Sequence, residues 1–415
     1  MSLFEEAKKQ YEGFGIDVEE ALRRVKEIPV SIHCWQGDDV LGFEGASSLE
    51  GGIQTTGNYP GRARNFEELT SDIRFCFALM PGKKRLNLHA NYAVLGEDLG
   101  KIDRDQYSFK HFLPWVKFAK EIGLDGIDFN PTFFSHPKVK DGLPLSSPDE
   151  ATRKFWIEHG RRSLEIASEL GKAFGKPCFV NIWIPDGLKD IPADRLGPRM
   201  RLKDSLDQII DWKGYDRDCV IIGVESKVFG IGVESYTVGN SEFYQNYAAL
   251  KGICCLMDTG HYHPTEVVSD KISSLLCFHD HLALHVSRPV RWDSDHVIIF
   301  EDELKEVAKE IIRNDADKKV IIGLDYFDAS INRLLAWTTG VFSMQKALLY
   351  AATLPNELMK KAQDQGDFTR LLYLQERAKM LPFSLLWDEY LHRQGLENDY
   401  YEPIKKYESE ILSKR

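Results

Sequence analysis

Eight short apolar segments, each ending in polar residues, alternate with helix-like stretches along this chain of 415 residues. The segments are 28–34, 85–91, 123–130, 177–186, 219–227, 252–261, 282–287 and 319–328. Most are continuous apolar runs, several rich in Val and Ile, which is typical of parallel strands covered on both faces. Between them, 109–122, 152–174, 265–278 and 302–313 carry apolar residues three and four apart, which predicts helices. Eight such units in succession predict a (β/α)8 TIM barrel.

An open, doubly wound sheet is the alternative fold. Such a sheet normally begins with a glycine-rich turn, and the nearest candidate, Gly230-Ile231-Gly232, lacks the third glycine. Outside the barrel, residues 1–27 are predicted to form one or two helices, and the chain after about 345 is amphipathic and helical, including 368–379 and 386–392. We therefore expect a catalytic barrel over 1–345 and a helical extension over 346–415. The extension must bury its apolar face on its own barrel or on a neighbouring subunit, and the sequence leaves both open.

Charge and cysteine content exclude several classes of protein. The chain has 64 acidic and 53 basic residues, a net charge of -11, which is the wrong balance for a nucleic-acid-binding protein. No apolar run approaches the roughly 18 residues of a membrane span, and the charged start does not resemble a signal peptide. The seven cysteines include no CxxC pair, which indicates reduced thiols and predicts a cytoplasmic protein.

Function is expected at the ends of the predicted strands, because barrel active sites lie at the carboxyl mouth. The polar and aromatic residues at these ends are His33, Trp35, Asp38 and Asp39; His89 and Asn91; Asp128 and Asn130; Trp183 and Asp186; Glu225 and Lys227; Asp258 and His261; His285, Asp293 and Asp295; and Asp325 and Asp328.

Five of these carboxylates come from the last four strands and the loop after the seventh. They are Glu225, Asp258, Asp293, Asp295 and Asp325. Crowded into one mouth, they could not all remain ionised without counter-charge. Two divalent cations together with Lys227 would balance them, and a mixed oxygen and imidazole donor set suits Mn²⁺, Mg²⁺ or Co²⁺ better than a closed structural zinc site. Six of the 12 histidines fall between 258 and 296, and charge alone does not rank them.

Two metals at such a mouth could clamp a phosphodiester, generate hydroxide, or hold two adjacent oxygens of a sugar. Trp35, Trp183 and Phe327 offer flat apolar walls, and His89 and Lys227 offer hydrogen bonds. Core packing is the alternative role for each tryptophan. No basic cluster flanks the mouth, so a sugar is the favoured ligand.

Several longer segments closely resemble the L-rhamnose isomerase family, and the likeness runs from the first helix to the C-terminus. The segments are 28–39 (IPVSIHCWQGDD), 51–54 (GGIQ), 56–61 (TGNYPG), 181–187 (NIWIPDG), 224–227 (VESK), 229–232 (FGIG), 284–296 (LHVSRPVRWDSDH), 323–325 (GLD), 327–333 (FDASINR) and 407–413 (YESEILS). Runs of this length are far more specific than any single short motif.

This resemblance implies a cytoplasmic homotetramer of TIM barrels that interconverts L-rhamnose and L-rhamnulose, the first step of rhamnose catabolism. It implies a hydride shift between C1 and C2 assisted by two divalent ions, as in the similar xylose isomerases, with Mn²⁺ favoured and Co²⁺, Zn²⁺ and Mg²⁺ as alternatives. The implied ligands are Glu225, Asp258, His285 and Asp325 for one metal, and His261, Asp293 and Asp295 for the other, with Asp258 shared. The implied catalytic residues are Asp325, Lys227 and His261, and the sugar-binding residues are His89, Trp183, Lys227, Phe327 and Asp325.

Two rivals remain open on the residues alone. A different metal-dependent barrel, such as a sugar epimerase or a phosphodiesterase, would keep the metal ligands and change what fills the mouth. A sugar-binding barrel without catalysis would bind L-rhamnose with no turnover in saturating metal.

Overall fold

A closed barrel of eight parallel strands forms the centre of the molecule. The computed structural model describes residues 2–45, 55–139, 142–227 and 235–415. Each barrel strand pairs with its neighbours in chain order, and the last pairs with the first, so the predicted TIM barrel is confirmed and the open sheet is excluded. The barrel strands are Val30–His33, Lys84–His89, Ile127–Asn130, Cys178–Ile182, Val220–Glu225, Cys254–Asp258, Leu282–Val286 and Val320–Leu324. The segments 51–54 and 229–232, which carried part of the resemblance, lie outside the described residues.

Helices follow the strands and cover the barrel, as the apolar spacing predicts. The α-helices are Leu3–Glu12, Val18–Glu27, Phe66–Ala78, Leu113–Glu121, Glu150–Phe174, Leu196–Ile210, Ser241–Lys251, Val268–Leu276, Asp302–Arg313, Arg333–Ala352, Asn356–Asp364, Phe368–Ala378, Phe383–His392 and Tyr401–Glu410. A two-stranded antiparallel ribbon, Gly187–Leu188 with Tyr236–Thr237, joins two loops at the carboxyl mouth. Among the helices of the described ranges, none is both long and apolar enough to cross a bilayer.

Side chains inside the barrel are arranged in layers, because alternate residues of a strand point to the same face. A small apolar cluster of Phe179, Cys254, Leu256 and Ala283, with Ile221 and Ile321 against it, fills the amino-terminal end. Two residues further along the strands, the same inward face becomes polar. Gly323 makes room for this change, since a Cβ there would lie 3.0 Å from Cδ2 of His285. The polar layer therefore rests on an apolar plug.

The C-terminal helices pack against the barrel of their own chain. The helix Arg333–Ala352 runs through position 345, where the sequence places the start of the extension. Further on, Glu408 accepts hydrogen bonds from Tyr59 Oη, at 2.8 Å, and from Asn332 Nδ2. Ile404 is buried, with 1% of its surface exposed. The helical tail agrees with expectation, and its separation from the barrel as a distinct unit stays a prediction.

Candidate metal centre

Four side chains from the last four barrel strands meet at the carboxyl mouth. Glu225 and Asp258 end the fifth and sixth strands, His285 is the penultimate residue of the seventh, and Asp325 follows the eighth. Parallel register aligns them, since Asp258 pairs with His285 across the sheet. All four are buried, with at most 7% of their surface exposed. One donor atom from each residue lies within 4.8 Å of the donors of the other three.

A second group shares one member with the first. It consists of Asp258, His261 and Asp293, again with one donor atom from each within 4.8 Å. His261 bridges the two groups, because its Nε2 lies 3.1 Å from Asp293 Oδ2 and its Nδ1 lies 3.3 Å from Glu225 Oε1. Asp258 belongs to both groups, so its single carboxylate lies beside both candidate cation sites.

Asp295 lies in the wall of the same cavity but in neither close group. It belongs to the loop after the seventh strand and has a left-handed backbone, with φ of 44°. Burial raises the pKa of its carboxyl well above the usual range, and the charges of Asp293 and Asp258 raise it further. Of the seven residues predicted as ligands, six therefore lie in the two close groups and the seventh lies beside them.

Several donor atoms in these groups have no hydrogen-bond partner among the described residues. They are Nδ1 and Nε2 of His285, Nδ1 of His261, Oδ1 of Asp293 and Oδ1 of Asp325. His285 Nδ1 lies 2.8 Å from Asp325 Oδ2, but the two are not aligned as a hydrogen bond. A buried polar atom without a partner costs about 1–3 kcal/mol, so this many in one place requires compensation. Lone pairs that converge without pairing are what a metal ion satisfies, and this donor set fits divalent cations.

Electrostatics leads to the same conclusion. Burial raises the pKa of Asp258 to about 8, with Glu225 and Asp293 adding repulsion against the attraction of His261. Burial alone would lower the pKa of His285, yet Glu225 and Asp325 outweigh it and hold that pKa well above the usual value. Without metal, the crowded carboxyls therefore lose negative charge only by binding protons, and divalent cations that displace those protons would relieve the same repulsion.

The cavity above these groups has aromatic walls, and its empty space amounts to about 640 Å³ when the part open to solvent is included. The Trp35 indole stacks on the His89 ring with centroids 4.0 Å apart. Trp183 meets Phe134 edge to face at 5.4 Å, and the Lys227 ammonium lies 5.0 Å from the Trp183 ring centroid. Phe327 also lines the cavity, so all the predicted sugar-binding residues face it. Aromatic walls above a floor of polar and charged groups suit a small polyhydroxylated ligand.

Four further residues contribute to the site. Sequence reasoning missed Asn181 and Phe134, and it named His33 and Asn130 only as strand-end residues without a role. Asn181 donates a hydrogen bond from Nδ2 to Glu225 Oε2, and Asn130 and Phe134 line the cavity. His33 lies 3.5 Å from Asp325 and forms a third close group with Asp325 and His285. Inward spacing on the fourth strand could have identified Asn181. Phe134 lies in a loop and gave no signal.

Some strand-end carboxylates bind other partners in the described part of the chain. They are Asp38, Asp39, Asp128, Asp186 and Asp328. Asp128 is fully buried and pairs with Arg85 at 2.7 Å, below the mouth. Asp39 receives both arms of the Arg333 guanidinium, each at 2.7 Å. These carboxylates hold barrel elements together and do not line the cavity.

Comparison with known proteins gives a consistent match over the whole chain. The model of the L-rhamnose isomerase (RhaA) family matches residues 1–415. An L-rhamnose isomerase of Salmonella agona is 51% identical over 415 residues, covering 99% of this chain and 98% of that protein. An L-rhamnose isomerase of Salmonella paratyphi B is 50% identical over the same shares of both chains. Among solved structures, an L-ribulose 3-epimerase superposes with TM-score 0.49 and 11% identity, covering 78% of this chain and 95% of the epimerase.

Proposed function

Because this chain belongs to the L-rhamnose isomerase family, we propose that its barrel mouth holds two divalent cations and isomerises the sugar above them. The observation that carries this proposal is the pair of buried donor groups joined by Asp258 under an aromatic cavity. A sugar epimerase or a phosphodiesterase would keep the same metal ligands, so the choice of an isomerase is supported by the family match.

In this proposal the residues divide between the two cations according to the close groups. Glu225, Asp258, His285 and Asp325 hold the first, and His261, Asp293 and Asp258 hold the second. Asp295 completes the second site from the cavity wall. Mn²⁺ is the favoured ion, with Co²⁺, Zn²⁺ and Mg²⁺ as alternatives, since oxygen and imidazole donors suit all four.

When bound, the cations supply Lewis acidity that stabilises negative charge on the oxygens at C1 and C2 of the open-chain sugar. Hydrogen moves with its electron pair from C2 to C1, while the C2 hydroxyl loses a proton and the C1 oxygen gains one. The Asp325 carboxylate, with Oδ1 unpaired, is placed to carry that proton between the two oxygens. Lys227, buried beside Asp293, donates to the oxygen that becomes negative. His261 holds the second cation site against Asp293.

The aromatic walls orient the sugar in this proposal. Trp183 and Phe327 cover its apolar face, and His89 offers a ring nitrogen to a hydroxyl.

The direct test is ketose formation from L-rhamnose by chelated protein, before and after adding each of Mn²⁺, Co²⁺, Zn²⁺ and Mg²⁺. We expect no L-rhamnulose until metal is restored. Ketose formed at the full rate after exhaustive chelation would refute the metal-dependent site.

A second test separates the hydride shift from an enediol route. L-rhamnose carrying deuterium at C2 should give L-rhamnulose that keeps the label at C1. Replacement of that label by hydrogen from solvent, at one atom per turnover, would exclude the hydride shift while leaving the isomerase activity intact.

We also propose that the helical tail takes part in a homotetramer. Its support is a set of exposed apolar side chains in the tail, Phe368, Leu372, Tyr373 and Met380, each at least 60% exposed in the single chain. Exposed apolar area of this kind marks interfaces. Light scattering on the purified protein should give four times the chain mass of 47.5 kDa, and Leu372→Asp with Met380→Asp should lower it.

A further inference from the structure

A chain of buried polar side chains runs beneath the sugar cavity, across the first three strands. His33 Nδ1 lies 3.1 Å from His89 Nε2, and His33 Nε2 lies 3.0 Å from Asn87 Nδ2. Asn130 Nδ2 donates to Asn87 Oδ1 and also to the Leu88 carbonyl at 3.4 Å. All four side chains are buried, with at most 4% of their surface exposed.

The direction of every hydrogen bond in this chain follows from its anchored end. The Leu88 carbonyl is always an acceptor, so the Asn130 nitrogen must face it, and Asn87 must turn its oxygen to Asn130. Asn87 then donates to His33, which makes His33 Nε2 an acceptor. A neutral imidazole carries one proton, so that of His33 is on Nδ1 and is donated to His89 Nε2.

The last link sets the state of the cavity wall. Since His89 Nε2 accepts, its proton is on Nδ1, the buried ring nitrogen for which the described part of the chain offers no hydrogen-bond partner. His89 lines the cavity, so this N–H is available to a ligand there. His33 Nδ1 also lies 3.5 Å from Asp325 Oδ1 without forming a hydrogen bond, and the negative charge of that oxygen favours the same proton position.

We infer that His33 is a positioning residue, held by Asn87 and Asn130, that fixes His89 in the Nδ1–H tautomer as a one-way donor to a sugar oxygen. A free histidine side chain slightly favours the Nε2–H tautomer, so the preference of His89 for Nδ1–H must come from its protein partners. An N–H that can only donate favours a ligand that presents an acceptor oxygen to His89 over one that presents a group unable to accept. The kinetic part rests on the proposed isomerase function, whereas the tautomer itself does not.

Nitrogen NMR of protein labelled with ¹⁵N-histidine and loaded with diamagnetic Mg²⁺ tests this directly. Two other histidines provide internal references. His159 Nδ1 lies 3.0 Å from the Arg104 carbonyl and must carry its proton there, while His111 Nδ1 accepts from the Ser108 backbone N–H and must not. We expect the His89 signals to match the His159 pattern. Signals that match the His111 pattern would overturn the inference.

Two substitutions complete the test. His33→Leu removes the donor, and we expect His89 to populate the Nε2–H tautomer and the KM for L-rhamnose to rise about three- to tenfold, the value of one lost hydrogen bond. His33→Asn places an amide N–H near the position of Nδ1, so it should retain the Nδ1–H pattern of His89 and most of the affinity. An unchanged His89 tautomer in His33→Leu would refute the positioning role even if the sugar were not turned over at all.

Discussion

Asp258 is the residue whose loss should affect both cation sites, because it alone belongs to both complete ligand groups. The perturbation is Asp258→Asn, which keeps the size of the side chain and removes its charge. Asp293→Asn is the matched comparison, since Asp293 belongs to the second group alone. A further control is Asp186→Asn, a buried carboxylate at the same mouth that accepts hydrogen bonds from Ser146 and lies in neither group.

The expected magnitude follows from mass action. At free metal about 100 times the dissociation constant, each occupied site stabilises the folded state by about 2.7 kcal/mol, so two sites give about 5.4 kcal/mol. For 415 residues the unfolding entropy near the midpoint is roughly 0.9 kcal/mol per kelvin, at about 2.1 cal/mol/K per residue. Metal should therefore raise Tm by about 6 °C in the natural protein. The rise should be about 3 °C in Asp293→Asn and close to zero in Asp258→Asn.

Differential scanning calorimetry with and without saturating Mn²⁺ measures these shifts at one pH. Asp186→Asn should retain the full shift of about 6 °C, whatever its own baseline stability. An Asp258→Asn protein with the same metal-induced shift as the natural one would refute the shared site. The rate of ketose formation should fall in both site variants. Asp293→Asn should lose most of its turnover while its fold is little affected.

Three more outcomes are expected. Lys227→Met should lower kcat about 10²–10³-fold with a small change in KM, measured by ketose formation, whereas Lys251→Met on an outer helix should leave both unchanged. Burial raises the pKa of Asp186 from 3.8 to about 7, so the folded protein holds a proton there that the unfolded chain releases above pH 4. The free energy of unfolding should therefore fall by at most about 4 kcal/mol as the pH rises from 4 to 7. Tm measured from pH 4 to 8 should vary less with pH in Asp186→Asn. Glu408→Leu, which removes the acceptor of Tyr59 and Asn332, should lower stability by about 1–3 kcal/mol and expose the tail to limited proteolysis, unlike the outward Glu402→Leu.

The barrel could be predicted from the sequence because its signal repeats. Eight apolar runs that alternate with helices are compatible with few folds, and the closed barrel is the one that has eight such units in succession. The strand ends were less certain. The run 252–261, for example, forms a strand only at Cys254–Asp258, since the residues after Asp258 turn into the mouth loop.

Site residues whose positions follow from strand geometry could be predicted. Those whose positions depend on a loop or on a partner from a neighbouring strand could not. Glu225 and Asp258 follow from inward alternation, but selecting His261 and His285 among six histidines needed the family resemblance. Asp295 lies in an irregular loop, so spacing alone could not say whether it joins Asp293. Asp128 also sits at a strand end, yet its partner Arg85 comes from the neighbouring strand, and sequence spacing does not reveal that register.

The apolar plug beneath the polar layer limits how the length of this chain can vary. Adding or deleting one residue within any of the last four strands would rotate every inward side chain to the helix-covered side, sending Glu225 or Asp258 outward and Val224 or Met257 inward. Length changes between homologues should therefore be confined to the loops and outer helices. Within the strands, specificity can drift only by exchange at alternate positions, so libraries that aim at new sugars should randomise inward positions and leave strand length untouched.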